Sequence, residues 1–230
     1  YSVAATITPV DSKTSIGRQI ISLNSDEIQT ITTEWKGIQT WDCENPNLYT
    51  LKLELINPQK QIVHIHEERI GFRTIEFRPK DGIYVNGTKI IVKGTNRHSF
   101  HPDGGRTTNR ELSLQDALLI KEMNMNAVRS HYPPDKHFLE ICDSLGIFYL
   151  NELAGWQNSY DTETGLKLLS EMINRDVNHP CIFMWSNGNE GGWNKNIDAH
   201  FADYDPQKRH VIHPWADFNG LDTHHYPAYQ

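Results

Sequence analysis

The chain has 230 residues, 22 basic and 29 acidic, with a formal net charge of −7 and 37% hydrophobic residues. An acidic chain without a basic patch excludes nucleic acid as an expected partner, and no apolar run approaches the ~20 residues of a membrane span, so no membrane is expected either. Three cysteines, Cys43, Cys142 and Cys181, are too few and too irregular for a disulfide framework; the last two lie in apolar segments, as buried thiols do.

The chain begins as though already inside a strand, without an initiator Met, and reads as a piece of a longer protein. Residues 2–8 alternate weakly, and residues 28–33 are β-branched and polar by turns. Residues 48–56 alternate cleanly: Leu51, Leu53 and Leu55 face one way, Lys52 and Glu54 the other. Residues 62–66 repeat the pattern after a turn at Asn57-Pro58. Short strands at this spacing predict a β-sandwich over residues 1–75, with no chemistry in it. His64 and His66 share a strand face, where a solvated surface is a stronger expectation than a metal pair.

Residues 77–91 predict a hairpin with a tight turn at Asn86-Gly87. Asn86-Gly87-Thr88 also fits a glycosylation sequon, but the turn accounts for Asn-Gly without it. An apolar strand over 90–93 leads to Gly94-Thr95-Asn96-Arg97-His98. A first helix is expected with Ser113 as N-cap and Leu114, Leu118, Ile120 and Met123 on one side. Strand 127–129 runs into Ser130-His131-Tyr132-Pro133, and a helix over about 135–145 stops at Gly146. Strand 147–150 ends in Asn151-Glu152, and a third helix covers about 165–175. Cys181 to Trp185 is an unbroken apolar run, suited to a strand buried on both faces. A shorter helix near 197–204, a strand at 210–213 and a last strand at 222–226 complete the series. Strand–helix–strand alternation means a parallel sheet with crossover helices. Polar residues follow every strand instead of gathering at one switch point, which favours a ring of strands. Six strands over residues 76–230 make an incomplete (β/α)8 barrel.

The run DVNHPCIFMWSNGNE, from Asp176 to Glu190, resembles position by position the acid/base signature of glycoside hydrolase family 2, which holds bacterial β-galactosidase and β-glucuronidase. Asn126 to Pro133, with Phe138-Leu139, Asp143 and Gly146 to Leu150, resembles the family's other signature; only Ser130 stands where the family has two small residues before His-Tyr-Pro. Gly94 to His98 resembles a third stretch, and Asn45 to Tyr49 with Trp41 upstream resembles the family's immunoglobulin-like domain. Ile70 to Arg73 resembles that domain's closing strand. Together these stretches run from about residue 40 to the end.

The resemblance implies a multidomain chain: an all-β immunoglobulin-like sandwich (1–75), then the N-terminal part of a TIM barrel (76–230). It implies a retaining exo-glycosidase acting on terminal β-linked sugars of a β-glycoside or oligosaccharide. β-Galactosides are favoured by the Gly-Asn-Glu-Gly-Gly run, with glucuronides or mannosides, or a non-catalytic carbohydrate-binding fragment, as alternatives. The roles carried over are general acid/base for Glu190 and sugar binding for Asn189, His98 and His131. Asn96 and Trp215 complete the expected sugar contacts, and Tyr226 matches a Tyr that hydrogen-bonds the nucleophile. That nucleophile is a Glu after the seventh strand, so residues 1–230 alone are expected to be inactive. Glu152 is read instead as a brace for an Arg such as Arg129. Some members carry magnesium on a Glu-x-His after the third strand; residues 152–157 lack that pair, so no metal and no cofactor are expected. Trp156, Trp193 and Trp215 follow strands, where they would stack on sugar or pack the rim. A bacterial periplasmic or cytoplasmic setting stays open, as does the oligomeric state.

Overall fold

The computed structural model describes residues 1–24 and 28–224. It opens with a four-stranded antiparallel sheet ordered β2-β1-β3-β4, formed by β1 (Ser2–Pro9), β2 (Gly17–Ser22), β3 (Tyr49–Ile56) and β4 (Ile62–Ile70). The alternation of β3 sets the register: Leu51, Leu53 and Leu55 stand opposite Ile7, Ala5 and Val3 of β1. A one-residue slip would turn that apolar set to the other face. The charged face of β3 is not simply solvated. Glu54 is buried, 3.0 Å from Lys52 and 2.8 Å from Arg18. Lys52, with Arg18, holds its carboxyl below the usual carboxylate range. His64 and His66 both lie exposed on β4.

Residues 28–33 form no strand, contrary to expectation. Ile28 and Ile31 are exposed, so the β-branched run buries no apolar face that would fix a ladder. The segment is tied down by side chains instead. Gln19 Nε2 donates to the Glu34 carbonyl at 2.6 Å, and Trp35 lies against Gly17. Strand β2 went unpredicted because its sequence, GRQIIS, does not alternate.

Long side chains and one glycine join this sheet to the rest of the chain. Trp41 is fully buried, edge-on to Phe148 at 5.5 Å, and its indole donates to the Asp143 carbonyl at 2.7 Å. Arg73 donates to the carbonyls of Pro180 and Ile182 and, at 3.0 Å, to Gln207 Oε1. Burial, then the nearby Arg209 charge, pulls Arg73 down to about 9. Gly146 (φ +66) sits so close to residue 43 that a Cβ would stand 2.5 Å from the Cys43 carbonyl oxygen.

Next comes a three-stranded meander, β5 (Ile75–Arg78), β6 (Gly82–Val85) and β7 (Thr88–Ile90). Asn86 and Gly87 turn between β6 and β7 with φ of 50° and 77°, the primed geometry of tight hairpins. The Asn86 side chain accepts from Thr74 N and donates to the Trp41 carbonyl, both at 3.0 Å. It thus has a structural job in the turn.

The third unit is a parallel sheet in sequential order: β8 (Gly94–Asn96), β9 (Ala127–Arg129), β10 (Phe148–Glu152), β11 (Ile182–Ser186) and β12 (His210–Ile212). Sequential order is what a barrel requires and a doubly wound sheet does not show. Every residue of β10 and β11 is buried. The first strand starts at Gly94, four residues later than predicted. Ile90 ends β7, and the Asn126 side chain takes the backbone on either side of Val92, accepting from Lys93 N and donating to Ile91 O. Five parallel strands stand among the described residues, not six. At the expected sixth, Asp222 belongs to a two-residue hairpin of β13 (Asp217–Phe218) with β14 (Leu221–Asp222), and residues 225–226 lie outside the described residues.

Helix α1 (Arg110–Glu122) is capped by Asn109, whose side chain accepts from Leu112 N at 2.9 Å. Ser113, expected to cap, is buried within the first turn. Of the expected apolar side, only Ile120 is buried, together with Ala117; Leu114, Leu118 and Met123 are exposed. Helix α2 (Lys136–Leu145) ends at Gly146 as expected. Helix α3 (Thr162–Asp176) starts at its Asp161 cap, before the predicted 165. A 3-10 turn (Lys195–His200) leads into α4 (Phe201–Tyr204). The main core lies between these helices and the parallel sheet, and it includes Cys142 and Cys181 as buried thiols. Among the described residues no helix is long and apolar enough to cross a membrane.

Candidate active site

The C-terminal ends of β8 to β11 open on a cavity of about 720 Å³. Each loop there contributes a polar or aromatic side chain: His98 after β8, His131 and Tyr132 after β9, Trp156 after β10, and Asn189 with Glu190 after β11. Arg106, Asn158 and Tyr160 complete the wall. This is the face where barrel enzymes carry their chemistry.

Backbone geometry sets the position of Glu190. Glu190 has φ +46, between Gly188 at +87 and Gly191 at +91. The loops after β10 and β11 touch backbone to backbone. A Cβ on Gly155 would stand 2.4 Å from the Gly192 oxygen, and one on Gly188 would stand 2.6 Å from it. Asn189 N donates to Gly155 O at 2.7 Å, and Gln157 N to Asn189 O at 3.3 Å. No side chain fits between these loops, so the turn bearing Glu190 is fixed against the turn bearing Trp156. The indole of Trp156 donates to Glu190 Oε2 at 2.9 Å.

Behind this turn runs a buried polar chain. Glu152 Oε2 accepts from Arg129 Nε and from Ser186 Oγ, each at 2.9 Å, and Arg129 Nη2 donates to Asn189 Oδ1 at 2.7 Å. The Glu152 side chain is fully buried. Burial pushes its carboxyl above the usual range, while Arg129 and Ser186 pull it back. Because Asn189 Oδ1 is occupied by Arg129, its amide is oriented by a residue that never meets solvent in full. Also lining the cavity, His98 and His131 stack at 4.8 Å with planes 15° apart. The Tyr132 hydroxyl accepts from Ser99 N at 3.0 Å and lies 3.2 Å from His98 Nδ1. Arg106 rests over the Tyr132 ring at 4.3 Å.

Four of the predicted site residues therefore meet at one cavity: His98, His131, Asn189 and Glu190. Asn96 is exposed on edge strand β8 and lines a separate, smaller opening with Arg129, Leu150 and Phe183. Trp215 is half-exposed in the turn before β13, its backbone N–H donating to Thr223 O, and it is not part of the cavity wall. Trp193 stacks on His213 at 5.0 Å and so packs the rim. Tyr226 lies outside the described residues. Sequence reasoning missed Arg106, Tyr132, Asn158 and Tyr160 as cavity wall. Tyr132 could have been found from its place beside His131; Arg106 sits in an irregular loop without a pattern. Among the described residues no group of three or more His, Cys, Asp or Glu is placed to hold a metal ion.

The model of the TIM barrel domain of glycosyl hydrolases family 2 matches residues 76–213, and a second model of that family matches residues 1–73. The chain belongs to glycoside hydrolase family 2. Its two parts are the family's immunoglobulin-like domain and a portion of its TIM barrel. A β-galactosidase of Thermoanaerobacterium thermosulfurigenes is 38% identical over 185 residues, covering 76% of this chain and 25% of that protein. A putative β-glucuronidase of Formosa agariphila is 37% identical over 163 residues, covering 69% of this chain and 20% of that protein. The chain thus spans a quarter or less of the length of these curated relatives. Among solved structures, a β-glycosidase from Bacteroides vulgatus superposes with a TM-score of 0.80 at 26% identity, over 94% of this chain and 29% of that one. A Bifidobacterium dentium β-glucuronidase in complex with coumarin-3-O-glucuronide superposes with a TM-score of 0.81 at 24% identity, over 92% of this chain and 37% of that one, and shares the fold.

Proposed function

We propose that this family 2 chain belongs to a retaining exo-acting hydrolase of terminal β-glycosides, with β-galactosides favoured and Glu190 as its general acid/base. The observation that carries this reading is the placement of Glu190. It lines the same cavity as Asn189 and the paired imidazoles of His98 and His131. In the first half-reaction the Glu190 carboxyl gives its proton to the glycosidic oxygen as that oxygen's bond to the anomeric carbon breaks. A second carboxylate forms the ester to that carbon. In the second, the Glu190 carboxylate takes a proton from water, the water oxygen attacks the anomeric carbon, and the ester bond breaks. A retaining pair stands about 5–5.5 Å apart. Among the described residues of the cavity wall Glu190 is the one carboxylate; we assign the nucleophile, as the family resemblance does, to a Glu after the seventh barrel strand. His98, His131 and Asn189 bind sugar hydroxyls in this scheme, and Tyr226 serves the nucleophile. Residues 1–75 act as the supporting sandwich and residues 76–230 as the barrel portion.

One observation favours a uronide as the second reading. Arg106 faces the cavity with no hydrogen bond or ion pair to another described residue, so it is available to a carboxylate on the substrate.

The test is Glu190→Gln in the full-length protein. Dinitrophenolate leaves without a proton, so the first step on a dinitrophenyl glycoside should survive the change far better than cleavage of a disaccharide. The second step should slow, and azide, which needs no base, should restore turnover. Equal losses on both substrates without azide rescue would remove Glu190 from this role. A panel of nitrophenyl galactosides, glucuronides and mannosides separates the sugar readings.

A further inference from the structure

We propose that Trp156 is a positioning residue for Glu190: its indole N–H occupies Oε2 and leaves the acid proton to Oε1. The inference rests on Glu190 being the acid/base. A carboxylic acid has two oxygens, and only one of them can carry the proton toward the leaving group. Indole N–H is a donor and never an acceptor. At 2.9 Å it favours the proton on Oε1, since an oxygen without a proton accepts from the indole far better than a hydroxyl oxygen does. A hydroxyl or an imidazole in the same place could accept as readily as donate, and would leave the choice of oxygen open.

Two further observations make this a built arrangement. First, the contact does not depend on chance flexibility of the two side chains. Trp156 pairs with Asn189 through a parallel bridge, and the loops carrying them meet at Gly155 and Gly192 with no room for a Cβ. The indole and the carboxylate therefore spring from adjacent, mutually fixed backbones. Second, Trp156 is 64% exposed, so its position is not imposed by the hydrophobic core. A large apolar side chain held in the open, with its one polar atom on the carboxylate, is placed for that contact. Sugar stacking, the expectation from sequence, uses the ring face and not the nitrogen, so the two roles can be separated experimentally.

The experiment uses the full-length protein with two replacements of Trp156. Trp156→Phe removes the N–H and part of the ring. The benzothiophene isostere of Trp, introduced at position 156, keeps the ring shape and removes only the N–H. Both should lower kcat/KM on a disaccharide about tenfold, a part of the 10²–10⁴-fold worth of general acid catalysis, and lower it less than about twofold on a dinitrophenyl glycoside. If the isostere behaves as the parent while Trp156→Phe loses activity, the ring face is what matters and the proposal is overturned. Equal losses on both substrates overturn it as well. If Glu190→Gln itself spares disaccharide cleavage, the acid/base assignment fails first, and this inference fails with it for that separate reason.

Discussion

Removing Arg129 should damage the protein far more than neutralising its partner Glu152. Glu152 is fully buried, and among the described residues Arg129 is its only ionic partner, at 2.7 Å. Arg129→Met leaves a carboxylate inside the barrel with Ser186 as its remaining donor, at 2.9 Å. Breaking a buried pair from one side costs about 3–5 kcal/mol. Glu152→Gln keeps an acceptor for Arg129 and Ser186 and removes the buried charge, so about 1.5–3 kcal/mol is expected, the worth of a hydrogen bond to a charged group. The pH dependence separates the two further. Burial raises the Glu152 carboxyl in the folded state. A carboxyl raised on folding favours the folded state below its unfolded value of about 4.3 and loses that contribution as pH rises through the higher folded value. Arg129→Met removes the charge that opposes the rise, so its stability should fall more steeply between pH 5 and 8 than the parent's. Glu152→Gln should lack this slope. Urea midpoints of the full-length protein at both pH values measure the effect. A loss below about 1 kcal/mol for Arg129→Met, with a pH slope no steeper than that of Glu152→Gln, would refute the reasoning, since a removed buried partner must cost more.

One comparison of two glycines and one at Glu190 test the backbone geometry. Gly146→Ala and Gly87→Ala both force Ala to positive φ, worth about 1–2 kcal/mol, but only Gly146 would also drive a Cβ to 2.5 Å from the Cys43 oxygen, while Gly87 has nothing within 4 Å. Thermal unfolding should show the Gly146 variant losing at least twice as much as the Gly87 variant; equal losses would mean that the junction yields freely. At Glu190, with φ +46, glycine should be more stable than alanine by about 1 kcal/mol, the reverse of their order in helices and strands. Alanine matching or exceeding glycine there in the same unfolding assay would show that the turn relaxes once the carboxylate is gone.

Elements whose period is strong were legible. Strand β3 alternates over eight residues, and β10 and β11 are short apolar runs buried on both faces. Both signals come from burial, and burial leaves a mark in sequence. The failures share a cause as well. Residues 28–33 have the composition of a strand but bury no face. Helix α1 turns Leu114 and Leu118 outward, so its expected apolar side does not mark the packed one. The start of β8 was misplaced because the Asn126 side chain, over thirty residues away, decides where the ladder begins. At the site, residues tied to a strand end were legible: His98, His131, Asn189 and Glu190 all follow strands within a few residues. Arg106 and Tyr160 come from loops whose course is set by tertiary contacts, and Trp156 was legible as an aromatic after a strand but not as a hydrogen-bond donor to Glu190.

The two sides of the turn at Glu190 differ in kind. On the inner side Asn189 is held through Arg129 and Glu152, both shielded from solvent, in a chain where each link is charged or charge-assisted. Low local dielectric makes such links strong when complete and costly when broken. On the outer side, among the described residues, Glu190 itself is held by one neutral N–H from an exposed side chain. In the proposed reaction Asn189 only orients a sugar and gains from rigidity, because misplacement of a bound hydroxyl raises the barrier directly. In the same proposal Glu190 must release a proton and take one back within each turnover, so it cannot be locked by a strong ionic partner. Such a partner would fix one protonation state at the expense of the other. The arrangement gives the rigid buried network to Asn189 and a single uncharged donor to Glu190, and the glycine contact between the two loops keeps both on one backbone frame.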